Sequence, residues 1–267
     1  MNDISIRYPA VAGSFYPEDE NELKEMINDY LAKAKDINID GTLRALVEPH
    51  AGYIYSGPVA AYGYKLLKKY ADKTSKIILI GPSHYAAFYG ACEAGYDFWE
   101  TPLGKVRAKS IRENLQNEYK NLIRVYKEAH EPEHCLEVQL PFLQTVLKDF
   151  TIYPLLCGDV NPAELANALL DQIDNKTVVI ASSDLSHYLP YDQAVRTDRI
   201  ANESVPALEI KRFEQYGDAC GKIGILTLMH IAKKNGWKGK LLDYRNSGDT
   251  AGPRTQVVGY GCYAFYE

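Results

Sequence analysis

Three short segments each place a histidine just after an apolar run: Glu48-Pro49-His50, Gly81-Pro82-Ser83-His84 and Ser183-Asp184-Leu185-Ser186-His187. A neutral imidazole binds transition metals, and the same ring exchanges protons near neutral pH. The chain holds 6 His in 267 residues, so three in one kind of context raise the question of what would gather them. His50 alone reads more readily as a solvated loop residue, but His84 repeats its context of apolar run, tight turn and histidine. His187 has the chemistry of a general acid or base. Asp184 has two readings: it accepts a ring N–H from His187 or another imidazole, or it caps the turn that follows.

Two further groups carry candidate chemistry. In Glu133-His134-Cys135-Leu136-Glu137, His134 and Glu137 share a face if helical, as metal ligands or as a shell behind them. Glu133 and Glu137 also suit a helix start electrostatically. Cys220, in Asp218-Ala219-Cys220-Gly221-Lys222, is expected at a helix amino terminus, where the dipole and Lys222 favour a thiolate. The competing reading is a small buried residue. Cys92, Cys157 and Cys262 read as core, and His130, in a polar loop, and His230, in an apolar helix, as structural or solvated.

These residues need a frame that brings distant segments together. Strands are predicted at Leu43–Val47, Lys76–Ile80, Phe150–Leu156, Thr177–Ala181 and Val257–Phe265, and helices at Glu18–Lys35, Pro58–Tyr70, Ser110–Tyr119, Leu136–Leu147, Pro162–Ile173 and Cys220–Asn235. Alternating strands and helices imply one layered α/β domain over residues 1–267, a central mixed sheet flanked by helices. Such a sheet lines up the carboxyl ends of its parallel strands along one edge, where ligands bind.

Composition narrows the classes. With 46% hydrophobic and 24% charged residues the chain is an ordinary globular one, and a net charge of −5 without a basic block argues against nucleic acid. Five scattered cysteines without a C-x-x-C pair argue against a disulfide framework or a zinc ribbon. No apolar run approaches a membrane span, and no apolar signal core opens the chain, so a cytoplasmic protein is expected. The 21 tyrosines, against 7 Phe and 2 Trp, fit half-buried surface positions or a phenol-lined pocket.

Taken in order, several motifs resemble the Memo family: Ala10-Val11-Ala12-Gly13-Ser14-Phe15-Tyr16, Pro49-His50 through Ser56-Gly57, Gly81-Pro82-Ser83-His84, Glu133-His134 through Glu137 with Leu140-Pro141, Ser182-Ser183-Asp184 with His187, Cys220-Gly221 and Val258-Gly259-Tyr260. The chain is most similar to the prokaryotic AmmeMemoRadiSam system protein B type, whose genes tend to neighbour those of a radical-SAM protein and an AMMECR-type protein. The resemblance implies a fold similar to class III extradiol ring-cleaving dioxygenases, with a metal in a cleft at the sheet edge. It implies His50, His84 and Cys220 as ligands, His187 as the catalytic histidine and Asp184 as its neighbour. Tyr55 matches a pocket tyrosine, and His134, Glu137, Phe15 and Tyr16 fall in or behind the pocket. Phe15 stands where the animal member carries a tryptophan, a departure that weakens any peptide-binding role. Two imidazoles and a thiolate suit iron or copper, with zinc as the other choice. The expected function is a metal-dependent redox enzyme of unknown substrate. The alternatives are a binding module for a peptide or protein and a zinc hydrolase.

Overall fold

A computed structural model describes residues 4–267. Its frame follows from runs buried on both faces. In β2 (Leu43–Glu48), β3 (Lys76–Pro82) and β9 (Thr177–Ser182), alternate residues enter two different cores. Leu46, Leu79 and Ile180 face one layer, whereas Val47, Ile80 and Ala181 face the other. Such uninterrupted apolar strands are the mark of a parallel sheet covered on both sides.

The remaining strands are β1 (Ile6–Arg7), β4 (Ala91–Glu93), β5 (Phe98–Thr101), β6 (Gly104–Ala108), β7 (Ile123–Val125), β8 (Thr151–Cys157), β10 (Lys238–Asn246) and β11 (Gly259–Tyr266). One sheet contains all eleven, in the order β1-β5-β6-β8-β3-β9-β2-β11-β10, with β4 paired to β8 and β7 to β4. The central run β8-β3-β9-β2 is parallel, and β11 and β10 continue it antiparallel. The sheet is therefore mixed, as the sequence implies.

Helices cover both faces. On one lie α1 (Glu20–Lys33), α2 (Tyr53–Lys68) and α4 (Leu140–Val146), and α3 (Lys127–His130) adds a single turn. On the other, α5 (Pro162–Leu170) packs on α8 (Lys222–Lys234), joined by α6 (Tyr191–Ser204) and α7 (Ile210–Tyr216). A one-turn α9 (Ser247–Thr250) follows β10, fixed by the reciprocal capping box of Asn246 and Asp249.

Three expectations change. The helix expected over Ser110–Tyr119 is two 3-10 turns, Arg112–Asn114 and Asn117–Tyr119. There the Glu93 carboxylate accepts bonds from Ser110 Oγ (2.6 Å) and Ile111 N (3.0 Å), and this local capture competes with helix propagation. The second helix starts at Tyr53 rather than Pro58, and Pro58 lies inside it, where the partner it denies is the carbonyl of half-exposed Ile54. Leu136–Leu147 opens as a 3-10 turn, Glu137–Gln139, and becomes α-helical only where Pro141 sits in the first turn.

Candidate metal centre

In the parallel ladders Glu48 pairs with Ser182 and Ile80 with Ala181, so β2, β3 and β9 end at one level. The loops leaving them carry His50, His84 and the segment Asp184 to His187. Ligand atoms of His50, His84 and Cys220 all lie within 4.8 Å of one another. His50 Nε2 is 3.2 Å from Cys220 Sγ, and the His50 and His84 rings meet edge to face at 5.2 Å. Three atoms bound to one metal at ~2.0–2.3 Å in tetrahedral fashion stand roughly 3.3–3.8 Å apart, so the cluster is near coordination spacing.

The ring nitrogen turned away from the cluster is occupied in both histidines. Ser182 Oγ donates to the Cys135 carbonyl (2.6 Å) and accepts from Gln139 Nε2 (2.8 Å). Its hydroxyl proton being spent, Ser182 accepts from His50 Nδ1–H at 3.0 Å, and the Nε2 lone pair faces Cys220. His84 Nδ1 lies 2.9 Å from Glu133 Oε1, and a carboxylate there fixes Nδ1–H and frees Nε2. Burial first, and then neighbouring His84, lower the His50 pKa to about 3, so His50 stays neutral and able to bind a cation.

Glu133 is buried yet ionised. Burial raises its pKa, but bonds from the His84 ring and backbone outweigh it and hold the value near about 2. Its oxygens accept from His84 N (2.7 Å), His134 N (2.9 Å) and Cys135 N (3.1 Å). Glu133, His84 and His134 form a second close group of donors, but four hydrogen bonds saturate the carboxylate and suit it to orienting His84 rather than ligating.

Cys220 corrects one expectation. The helix begins at Lys222, so the thiol lies ahead of its first turn, and Lys222 Nζ donates to the Gly217 carbonyl (2.8 Å). Burial first, and then the Asp184 carboxylate, push the thiol pKa up to about 12. Without metal Cys220 is a neutral thiol. Its placement depends on Gly221, whose N–H donates to Ser183 Oγ (2.9 Å) and whose absent Cβ would lie 2.5 Å from the Ser182 carbonyl oxygen.

Beyond the three donors a cleft of about 580 Å³ opens, lined among others by Phe15, Tyr55, His134, Asp184, His187 and Tyr188. Asp184 Oδ1 accepts from His50 N at 2.7 Å, so it fixes the histidine loop across the sheet edge. Burial raises its pKa to about 6 against that bond and the charge of His187. His134 stacks on His84 at 4.7 Å and touches Phe15 at the same distance, and burial lowers its pKa to about 4.

Glu137 and Tyr16 are not among the lining residues of the cleft. Glu137 is buried against Arg7 (2.7 Å) and accepts from Ala10 N, Val11 N and Tyr16 OH, tying the amino-terminal arm to the body. His130 is fully buried in α3 rather than in a polar loop: its Nε2 lies 3.1 Å from the Cys92 carbonyl oxygen, and its own carbonyl accepts from Arg7 Nε. Sequence reasoning missed the orienting roles of Ser182, Gln139 and Glu133. It also missed Asp198, which accepts from Ser186 N (3.0 Å) and Tyr244 OH (2.8 Å) and so holds the loop before His187. The adjacency of Glu133 to His134 and the nearness of Ser182 to Asp184 hinted at two of these, and nothing local pointed to Gln139 or Asp198.

Comparison with known proteins covers nearly the whole chain. The family model for Memo-like proteins matches residues 7–264. A MEMO1 family protein of Archaeoglobus fulgidus is 36% identical over 272 residues, covering 97% of this chain and 99% of the relative. One from Nitrosopumilus maritimus is 34% identical over 277 residues, again 97% and 99%, and one from Methanopyrus kandleri is 36% identical over 280 residues, 97% and 98%. With its histidine and cysteine donors gathered at one sheet edge, this chain belongs to the Memo family.

Proposed function

We propose that the protein is a metal-dependent redox enzyme that holds iron or copper through His50, His84 and Cys220. One observation carries the reading: three donor atoms within 4.8 Å of one another, with the outer nitrogen of each imidazole already engaged. Two imidazoles and a thiolate are a soft set that suits copper, iron or zinc. The resemblance to ring-cleaving dioxygenases and the electron-rich thiolate favour a redox metal over zinc hydrolysis. Such a metal, when bound, would supply one-electron and O₂ chemistry to a substrate in the cleft.

The chain's own groups then divide the remaining work. His187 lines the cleft and moves a proton to or from the substrate, the role an imidazole fills near neutral pH. Asp184 holds the His50 loop through that residue's N–H and lines the cleft. Glu133 and Ser182 keep each imidazole in the tautomer that presents Nε2.

The test is anaerobic reconstitution with iron, copper or zinc, followed by O₂ consumption with phenolic and thiol compounds. The reading expects substrate-dependent O₂ uptake with iron or copper. That uptake should vanish in Cys220→Ala and fall by roughly 10²–10⁴ in His187→Ala. Ester or amide hydrolysis with zinc alone, or O₂ uptake indifferent to Cys220, would contradict it.

A further inference from the structure

The cleft walls combine two features that the donor set does not explain. Phe15, Tyr55, Tyr188 and Tyr260, with Pro253 and Val258, supply aromatic and apolar surface, and none of the described lining residues is Lys or Arg. The cations of this region are engaged elsewhere. Arg254, next to Pro253, stacks on Tyr191 at 4.5 Å and lies 3.7 Å from Asp249, and Lys222 donates to the Gly217 carbonyl. Apart from the imidazoles, no described lining side chain can carry a positive charge, and Asp184 adds a carboxylate.

Tyr188 is the second feature. Its φ is +56°, a left-handed conformation that a bulky side chain rarely adopts. Backbone bonds on either side enforce it: Gly259 N donates to Ser186 O (2.9 Å), and Val257 N donates to Leu189 O (2.8 Å). The ring is thereby held beside His187, 5.9 Å between centroids, at the cleft wall and 69% exposed. Backbone strain held on an exposed aromatic at a cleft is an outlier from which a ligand contact can be inferred.

Resting on the metal-centre reading above, we infer that the cleft selects a ring-bearing small molecule that is uncharged or cationic away from its metal-facing end, with Tyr188 as the ring's clamp. A carboxylate or phosphate at the far end, away from the imidazoles, would lose its hydration and meet no lysine or arginine among the described lining residues. A neutral ring gains aromatic contact, and an ammonium gains cation–π attraction. The volume of about 580 Å³ is of small-molecule size.

The experiment titrates Co(II)-loaded protein with 4-methylcatechol, 3,4-dihydroxybenzylamine and 3,4-dihydroxybenzoate, read by the cobalt–thiolate absorption. Ligand-observed NMR repeats the series on metal-free protein. The methyl and aminomethyl compounds should bind at least about tenfold more tightly than the carboxylate in both. Tyr188→Ala should weaken 4-methylcatechol by about 3- to 10-fold, and Gln256→Arg, adding a cation to the wall, should narrow or reverse the preference. Equal or tighter binding of the carboxylate, no ring binding at all, or indifference to Tyr188→Ala would overturn the inference. Cobalt uptake unaffected by Cys220→Ala would instead refute the metal-centre reading, and the metal-free series would still decide the charge preference.

Discussion

His50 and His84 differ in what grips the nitrogen turned away from the cleft, and that difference is measurable. A serine hydroxyl already committed to the Cys135 carbonyl holds the first, and a buried carboxylate holds the second. Glu133→Gln keeps the shape but loses the charge and turns an NH2 towards an N–H donor, so it should cost about 10- to 100-fold in metal affinity, by competition titration. Protons give a separate readout. Burial holds the Cys220 thiol protonated to about pH 12, whereas His50 is neutral above about pH 3. Below its pKa the thiol must lose a proton to ligate, so affinity through Cys220 rises with pH while His50 adds no such dependence down to about pH 4. At pH 7, calorimetry in buffers of different ionisation enthalpy should show Cys220→Ala releasing about one proton fewer per metal than the parent. The strand-end positions of His50 and His84 were legible in the sequence because they are local, whereas Cys220 entered the donor set only through the family resemblance. The orienting roles of Ser182, Gln139 and Glu133 were not legible, because a hydrogen-bond partner 43 to 132 residues away is chosen by packing.

At the scale of elements, the buried strands were plain because a strand covered on both faces is apolar throughout. Edge strand β10, Lys-Gly-Lys-Leu-Leu-Asp-Tyr-Arg-Asn, was not visible because it is half exposed and polar. The short β4 to β7 gave too few residues for a pattern, and the sparse apolar positions of α6 escaped notice for a related reason. The approach of α8 to β9 shows how elements set the site. Gly221 lets the segment before α8 rest on the strand end, which brings Cys220 to His50. Gly221→Ala forces a methyl group against a backbone carbonyl, which cannot rotate away. It should cost about 1–3 kcal/mol in denaturant unfolding and weaken metal binding as well.

Over the whole molecule, the amino-terminal arm closes one side of the cleft with Phe15 and is held from below by Glu137. Arg7 and Glu137 are both almost fully buried, and Arg7 also lies over Trp99 at 4.3 Å. Removing one partner of such a pair leaves an uncompensated charge, so Glu137→Ala should destabilise the protein by about 3–5 kcal/mol in denaturant unfolding. The family resemblance implied Glu137 and Tyr16 as part of the pocket or of the shell behind it. The structure puts them one layer behind it, serving the arm, because a buried carboxylate goes where an arginine and free N–H groups meet it.

The central claim is that His50, His84 and Cys220 form one metal centre. Its most direct test is the metal-to-protein ratio after anaerobic purification without a histidine tag and reconstitution, for the parent and for the His50→Ala/His84→Ala/Cys220→Ala variant. The account predicts close to one iron or copper per chain in the parent and none retained by the folded triple variant. Equal metal in both proteins, or none taken up by the parent, would contradict it.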